Sequence, residues 1–324
     1  MGIDVTLLID LMHALLSHPF HIGRLQLPHR LLQGPLAGFS CAPFRISYNQ
    51  FLAPAYCVTE MMSAVDVLHK HPLTSRYLVR LPEEKLLCYQ LAGTSPSIMA
   101  EAAKKLQALG ADLIDVNAGC PKPKIRKKGA GSALLDNLEN LQRIISAMRE
   151  AIEIPLTVKL RICGDERDVM LAQAIERAGA DALIIHGRRW TDDYDVPCNF
   201  QMISKIKQSV QIPVIANGDI TSKESLLEAI KQSGCDAYMI SRGGTGQPWL
   251  YQQLLQQDIE VTNNLRNHCF ISHLHGLAAL ENEYKAVLQS KSLARYYFKN
   301  RWSHEQFSKF YGLARLLDIE RFLG

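Results

Sequence analysis

The sequence has no run of 18 apolar residues, roughly the length that a membrane-spanning helix requires. Its best candidate, Val5 to Leu16, is interrupted by Asp10 and His13 and reads as a short amphipathic N-terminal extension. Met1 to Leu8 carries Asp4 but neither Lys nor Arg, so the basic start of a secretory signal is also missing. No membrane partner is expected, and the cytoplasm is the expected compartment. CxxC pairs are absent: Cys41, Cys57, Cys88, Cys120, Cys163, Cys198, Cys235 and Cys269 are scattered. Most of them read as small buried apolar residues of a reducing compartment. His268, His273 and His275 have no acidic or cysteine set at zinc spacing to complete them, so no metal is expected. An excess of one charge is missing too. Lys plus Arg number 36 and Asp plus Glu 32, a net +4 that by itself implies no nucleic-acid partner. With 47% hydrophobic and 21% charged residues, whole-chain disorder is excluded.

What is present is alternation. Between residues 31 and 255, eight strand candidates are separated by helical patterns: Leu31–Ala37, Ala55–Met61, Leu86–Leu91, Leu113–Asn117, Leu156–Ile162, Ala182–His186, Pro213–Asn217 and Ala237–Ser241. Many are continuous apolar runs, as parallel strands buried on both faces require. Ser95 and Pro96 open a helix that Gly110 ends, and Thr221 with Glu224 reads as a capping box opening another. Eight such units in this length predict an α/β fold, a (β/α)8 TIM barrel. The competing open sheet would show a glycine-rich GxGxxG turn after its first strand, where this chain has Pro35-Leu36-Ala37-Gly38. From Leu274 onward there is no strand candidate and no proline, which predicts a small all-helical second domain. The expected organisation is an extension over 1–21, a catalytic barrel over 22–255, a linker over 256–266 and a helical domain over 267–324.

Barrel chemistry sits at the C-terminal ends of the strands. Those ends carry Gln90, Asn117 with Cys120, Lys159 with Arg161, His186 with Arg188, Asn217-Gly218-Asp219 and Ser241-Arg242-Gly243-Gly244. The glycine-rich ends of strands seven and eight, with Arg242, suit a phosphate; the bland alternative is two ordinary turns. Lys159 lies within a strand and needs an anion if it points inward; otherwise it is a surface lysine. Reduced flavin is such an anion, and the Gln90 amide suits the pyrimidine edge of an isoalloxazine, so FMN accounts for the set. Cys120 stands beside Lys122, Lys124, Arg126, Lys127 and Lys128, cations that make a thiol reactive and bind phosphates. The plain alternative there is a solvated basic loop with an incidental cysteine.

These residues resemble the tRNA-dihydrouridine synthases, most closely the bacterial B type. The resemblance rests on Pro35-Leu36-Ala37-Gly38, Ala42-Pro43-Phe44-Arg45, Glu60-Met61-Met62, Gln90-Leu91-Ala92-Gly93, Asp115-Val116-Asn117-Ala118-Gly119-Cys120-Pro121, Gly129-Ala130-Gly131-Ser132, Lys159-Leu160-Arg161, His186-Gly187-Arg188, Asn217-Gly218-Asp219-Ile220 and Arg242 with Gly246-Gln247-Pro248-Trp249. It implies reduction of tRNA uridines to 5,6-dihydrouridine, with hydride from reduced FMN to C6 and a proton from Cys120 to C5. NADPH, or NADH, would re-reduce the flavin. It implies that Pro35, Leu36, Ala37, Gln90, Lys159, His186, Asn217, Gly218, Asp219, Ser241 and Arg242 hold FMN. Asn117, Lys124, Arg126 and Arg188 are assigned to the substrate, tRNA. Two departures stand out: Ser241 where the family usually has glycine, and a divergent stretch from Arg189 to Phe200.

Residues 263–324 hold nine basic and five acidic residues, so the whole net charge lies there, with ten of the 24 aromatics. Individual aromatics read as the core of a small bundle. The basic face reads as RNA-binding. The protein is expected as a monomer. A flavin barrel acting on a small dihydropyrimidine- or dihydroorotate-type substrate, and a catalytically idle RNA-binding barrel, are the alternatives. Neither uses both the basic loop and the flavin-type strand ends.

Overall fold

The computed structural model describes residues 12–255 and 259–324, so readings placed on 1–11 and 256–258 lie outside the described residues. A hairpin of β1 (Phe20–Ile22) and β2 (Leu25–Leu27) precedes the main sheet. Eight parallel strands then close into a barrel: β3 (Leu31–Gln33), β4 (Cys57–Val58), β6 (Leu87–Ala92), β7 (Leu113–Ala118), β8 (Leu156–Arg161), β9 (Ala182–His186), β10 (Val214–Asn217) and β11 (Ala237–Ile240). Closure comes from β11 pairing with β3 and β4 pairing with β6. All eight expected strands are therefore present. The first ends at Gln33, short of Ala37, and the second is shorter than expected too. It leaves the ladder after Val58, and a separate two-residue strand, β5 (Met62–Ser63), pairs alongside the end of β6. The cause is local: the Thr59 hydroxyl, in place of a ladder carbonyl, accepts the Gln90 N–H at 3.1 Å.

Period-two alternation sorts each strand. Ile114, Val116, Val158, Leu183 and Val214 face outward and pack with Met99, Leu106, Ile144 and Met148 of the surrounding helices. Leu32, Val58, Cys88, Leu113, Ala182, Ile215 and Ala237 face inward near the N-terminal ends. The hairpin adds Phe20, Ile22 and Leu27 to this inner cluster and plugs that end. Its turn needs Gly23: φ is +53°, and a Cβ there would lie 2.9 Å from Asp181 Oδ1. The hairpin begins before residue 22. Met12 and Leu16 join the outer core, so the barrel unit reaches into what the sequence reading assigns to an extension.

The helix Pro96–Ala108 has Ser95 as its cap, accepting from Ile98 N, and Gly110 follows its end in the left-handed region. The Lys223–Ser233 helix is capped one residue later than expected. Ser222 is the cap and Ser225 its reciprocal partner, because the short Ser225 hydroxyl reaches back to the Thr221 and Ser222 N–H groups.

The second domain comprises four helices, Asn263–Leu280, Glu283–Tyr297, His304–Tyr311 and Leu316–Leu323. It starts at 263 rather than 267, because Thr262 caps the first helix through Leu265 N. Phe270, Tyr297, Phe298 and Phe310 fill its centre, and Trp302 stacks on Phe298 at 3.9 Å. These aromatics are core, whereas Arg295, Lys299 and Arg301 are exposed. Cys41 and Trp249 of the barrel belong to the same cluster, so the two parts share an apolar interface. Among the described residues no helix is long and apolar enough to cross a membrane, and no group of three or more His, Cys, Asp or Glu could hold a metal ion.

Candidate active site

The inward phase of the strands turns polar toward their C-terminal ends. Gln90, Asp115, Asn117, Thr157, Lys159, Arg161, His186, Asn217 and Ser241 follow the apolar inner layer at two-residue steps. The expected site residues of six strands are thus brought to one mouth.

Gln90, Asp115 and Asn117 are buried and joined. Gln90 Nε2 donates to Asp115 Oδ2 at 2.7 Å, and Asn117 Nδ2 donates to Gln90 Oε1 at 2.8 Å. Thr157 Oγ1 donates to the other Asp115 oxygen at 2.6 Å. Asn117 Oδ1 in turn accepts from Cys120 N at 2.9 Å and Gly119 N at 3.2 Å. The Cys120 carbonyl is clamped by Ser132 N and Ser132 Oγ, both at 3.0 Å. That approach requires Gly131, whose φ is +63° and whose Cβ would stand 2.7 Å from the Cys120 oxygen. Cys120 itself is half-buried at the mouth.

Lys159 makes no hydrogen bond or ion pair among the described residues; the opposite charge that acts on it most is Asp115. Burial lowers its pKa, Asp115 opposing. Burial likewise pushes the Asp115 carboxyl above the usual carboxylate range, against the Thr157 and Gln90 hydrogen bonds and Lys159. A half-buried cation that makes no hydrogen bond among the described residues fits an anionic ring edge, so the residues present fit a flavin. His186 is held neutral, its pKa driven far down by burial and by Lys159, Arg161, Arg188 and Arg242. Its Nε2 faces the Arg188 guanidinium at 3.3 Å, which can only donate, so the ring proton belongs on Nδ1.

At the seventh and eighth strand ends, Asn217 Nδ2 donates to Met239 O at 2.8 Å and to Ser241 Oγ at 3.3 Å. Gly218 and Asp219 have φ of +129° and +51°. Ser241 has φ −109°, so serine replaces glycine without left-handed strain. Gly34 is the compensating small residue, since a Cβ there would lie 2.4 Å from Ser241 Oγ. Pro35, Leu36 and Ala37 follow it at the mouth, half-buried to exposed.

Three assignments differ from expectation. Arg188 is 2% exposed, bonded bidentately to Asp219 at 2.7 and 2.8 Å and to the carbonyls of Val196 and Tyr194. It is a buried brace of the loop at Gly218 and Asp219. The Asp219 carboxylate is consumed by Arg188 and by Cys198 N, which leaves its backbone for a ligand. Arg126 is tied to Ser132 and Asp136 and lies 3.7 Å from the Trp190 ring centre, whereas Lys124 is exposed. The divergent segment Arg189–Phe200 thus spans the mouth: Trp190 covers Arg126, and Tyr194 lies 3.5 Å from Arg242. Arg161 braces this segment through Arg189 O and the cysteine loop through Gly119 O. In the sequence Arg161 stands out only as a polar strand end, and Asp115 and Thr157 carry no expected role. Their signal is phase: an acid and a hydroxyl two residues before Asn117 and Lys159, on strands otherwise apolar.

A family model described as Dihydrouridine synthase (Dus) matches residues 32–313. The chain is 38% identical over 241 residues to a probable tRNA-dihydrouridine synthase 1 of Synechocystis, covering 74% of this chain and 68% of that one. It is 33% identical over 305 residues to tRNA-dihydrouridine synthase B of Vibrio vulnificus, covering 89% and 91%. Among solved structures, morphinone reductase in complex with tetrahydroNAD superimposes with a TM-score of 0.54 at 14% identity, over 74% of this chain and 90% of that one. A 6-hydroxypseudooxynicotine amine oxidase from Pseudomonas geniculata reaches 0.59 at 13% identity, over 82% and 53%. At such identities the two structures speak for the barrel fold alone.

Proposed function

The chain belongs to the dihydrouridine synthase family, and from that premise we propose that it reduces uridines of tRNA to 5,6-dihydrouridine with FMN as its flavin and NADPH or NADH as reductant. The observation that carries this reading is the pairing, at one mouth, of a cation that makes no hydrogen bond among the described residues, Lys159, with a cysteine loop held by Asn117.

Bound reduced FMN would supply the hydride for C6 of the uracil. Lys159 would face the anionic edge of the ring, and His186 would offer Nδ1–H as a neutral donor. The backbones of Pro35, Leu36, Ala37, Gly218 and Asp219, with Asn217, Ser241 and Arg242, would hold the rest of the cofactor. Gln90 has a fixed orientation through Asp115, so its contribution is a positioned amide. Cys120 would deliver the proton from Sγ to C5 as the C5=C6 bond is reduced, and the thiolate would regain a proton from solvent. Asn117, fixing the Cys120 backbone, would keep that thiol over the base. A uridine in folded tRNA must leave its stack to reach the mouth. The exposed Lys122, Lys124, Lys127 and Lys128, and the tail residues Arg295, Lys299 and Arg301, would take backbone phosphates.

The test is to map dihydrouridine in tRNA from cells with and without this protein, and to add the purified protein to the unmodified tRNA. Loss of dihydrouridine at defined positions, restored by yellow protein with NADPH, is the expected result. Unchanged dihydrouridine in both assays would overturn the reading.

A further inference from the structure

Four side chains link the flavin-type face of the barrel to the cysteine loop, and their donors and acceptors alternate without a break. Thr157 Oγ1 and Gln90 Nε2 donate to the two oxygens of Asp115. Gln90 then turns its oxygen to Asn117 Nδ2, and Asn117 its oxygen to the backbone N–H groups of Gly119 and Cys120. Each amide has one donor end and one acceptor end. The direction of the whole chain therefore follows from Asp115, both of whose oxygens accept.

We propose that Asp115 is a positioning residue that sets the orientation of Gln90 and Asn117 and thereby holds the Cys120 loop in its reactive place. The proposal rests on the dihydrouridine synthase reading for the role of Cys120, though not for the relay itself. Were Gln90 reversed, its oxygen would face the Asp115 carboxylate, and its amino group would face the amino group of Asn117. Asn117 would then have to reverse too, and would offer N–H to the N–H of Cys120. All four residues are buried with at most 9% exposure, so water cannot easily substitute for the lost bonds. Asp115 is joined to Cys120 through the two amides, with no direct hydrogen bond between them among the described residues.

A double-mutant cycle in the full-length protein separates the relay from simple packing. In Asp115→Asn alone, the new amide can keep its oxygen toward Gln90 and give its N–H to the Thr157 hydroxyl, which rotates to accept; the relay survives. Thr157→Val alone leaves the Asp115–Gln90 bond. In the double variant, the amino group introduced at position 115 has no acceptor at position 157 and turns to Gln90, reversing the relay. The first readout is the iodoacetamide alkylation rate of Cys120, followed by mass spectrometry of its peptide, which depends on neither flavin nor tRNA. The second is kcat and KM for tRNA.

Each single variant should keep the Cys120 alkylation rate within about two-fold of wild type, whereas the double variant should change that rate by about five-fold or more and lower kcat with KM little changed. Effects that simply multiply would overturn the proposal. If the double variant shows no cooperative thermal transition, Gln90→Met replaces it, since it cuts the relay at its middle; unchanged Cys120 alkylation there would equally overturn it. Wild-type protein that makes no dihydrouridine would refute the functional reading, while the alkylation cycle would still decide the relay.

Discussion

Arg76 in the barrel and Glu281 in the helical domain meet at 2.6 Å, 205 residues apart in the chain. The same guanidinium holds Glu60 at 2.7 Å, and Glu60 accepts the Gly38 N–H at 2.6 Å. Gln289 of the helical domain completes the link by donating to the Gly38 carbonyl at 2.8 Å. The loop beginning at Pro35 is thus anchored from both sides. Arg76→Met would leave the buried Glu60 carboxylate without its cation, while Glu281 would keep Lys285 at 2.8 Å. Stability should fall by about 3 kcal/mol, and bound flavin should be lost more readily. Denaturant titration and the flavin content of the purified variant check both.

Cys120→Ala removes the thiol but keeps the backbone N–H that Asn117 holds. The melting temperature and flavin content should stay near wild type, whereas dihydrouridine formation should drop by about 100-fold or more, the typical share of a general acid. Normal turnover would show that the proton comes from elsewhere.

Arg188→Leu would strip the Asp219 carboxylate of its buried partner and release the carbonyls of Tyr194 and Val196. Because the Asp219 side chain is 38% exposed, water recovers part of the loss, and a cost of about 2 kcal/mol is expected. Flavin affinity should weaken while tRNA binding by the flavin-free protein is unchanged. Weakened tRNA binding alone would restore Arg188 to the substrate.

Lys299→Ala and Arg301→Ala change exposed side chains next to an aromatic core that they do not fill. Neither should alter the melting temperature. Each should weaken tRNA binding and reduce its salt slope by about 1. Binding measured across a salt series separates this from a change in fold.

Acid should destabilise the protein through histidines. Burial lowers the pKa of His29, His186 and His273, the last to about 4. Below the ordinary histidine value of 6.5 the unfolded chain binds protons that the folded chain refuses. The stability they permit is present above that value and is lost as pH falls below it. Asp115 and Asp168 run the other way, since burial raises their pKa and acid relieves it. With three groups against two, the melting temperature should fall steadily from about pH 6.5 to about pH 5, and His273→Phe should flatten part of that fall. A melting temperature that rose on acidification would contradict this balance.

Much of the fold is legible in the chain because its causes are short-range. Strand phase, the Ser95 cap and the strand-end polar residues are patterns within a few positions, and the eight strands and the strand-end place of Cys120 follow from them, whereas Gly131-Ser132 is picked out only by the family resemblance. The exact cap at Ser222 and the break after Val58 depend on single hydroxyls reaching a backbone N–H, which spacing alone does not rank.

What the amino-acid sequence by itself determines is the barrel, the helical second domain, and the set of polar residues that the strand ends must expose. The tertiary structure alone decides their partners. It spends Arg188 on Asp219, covers Arg126 with Trp190, gives Asp115 to Gln90 and Thr157, and ties Arg76 to Glu281. The physical reason is that strand periodicity says which way a side chain points. Which opposite charge or amide waits there depends on neighbours brought together by barrel closure, 25 to 205 residues away.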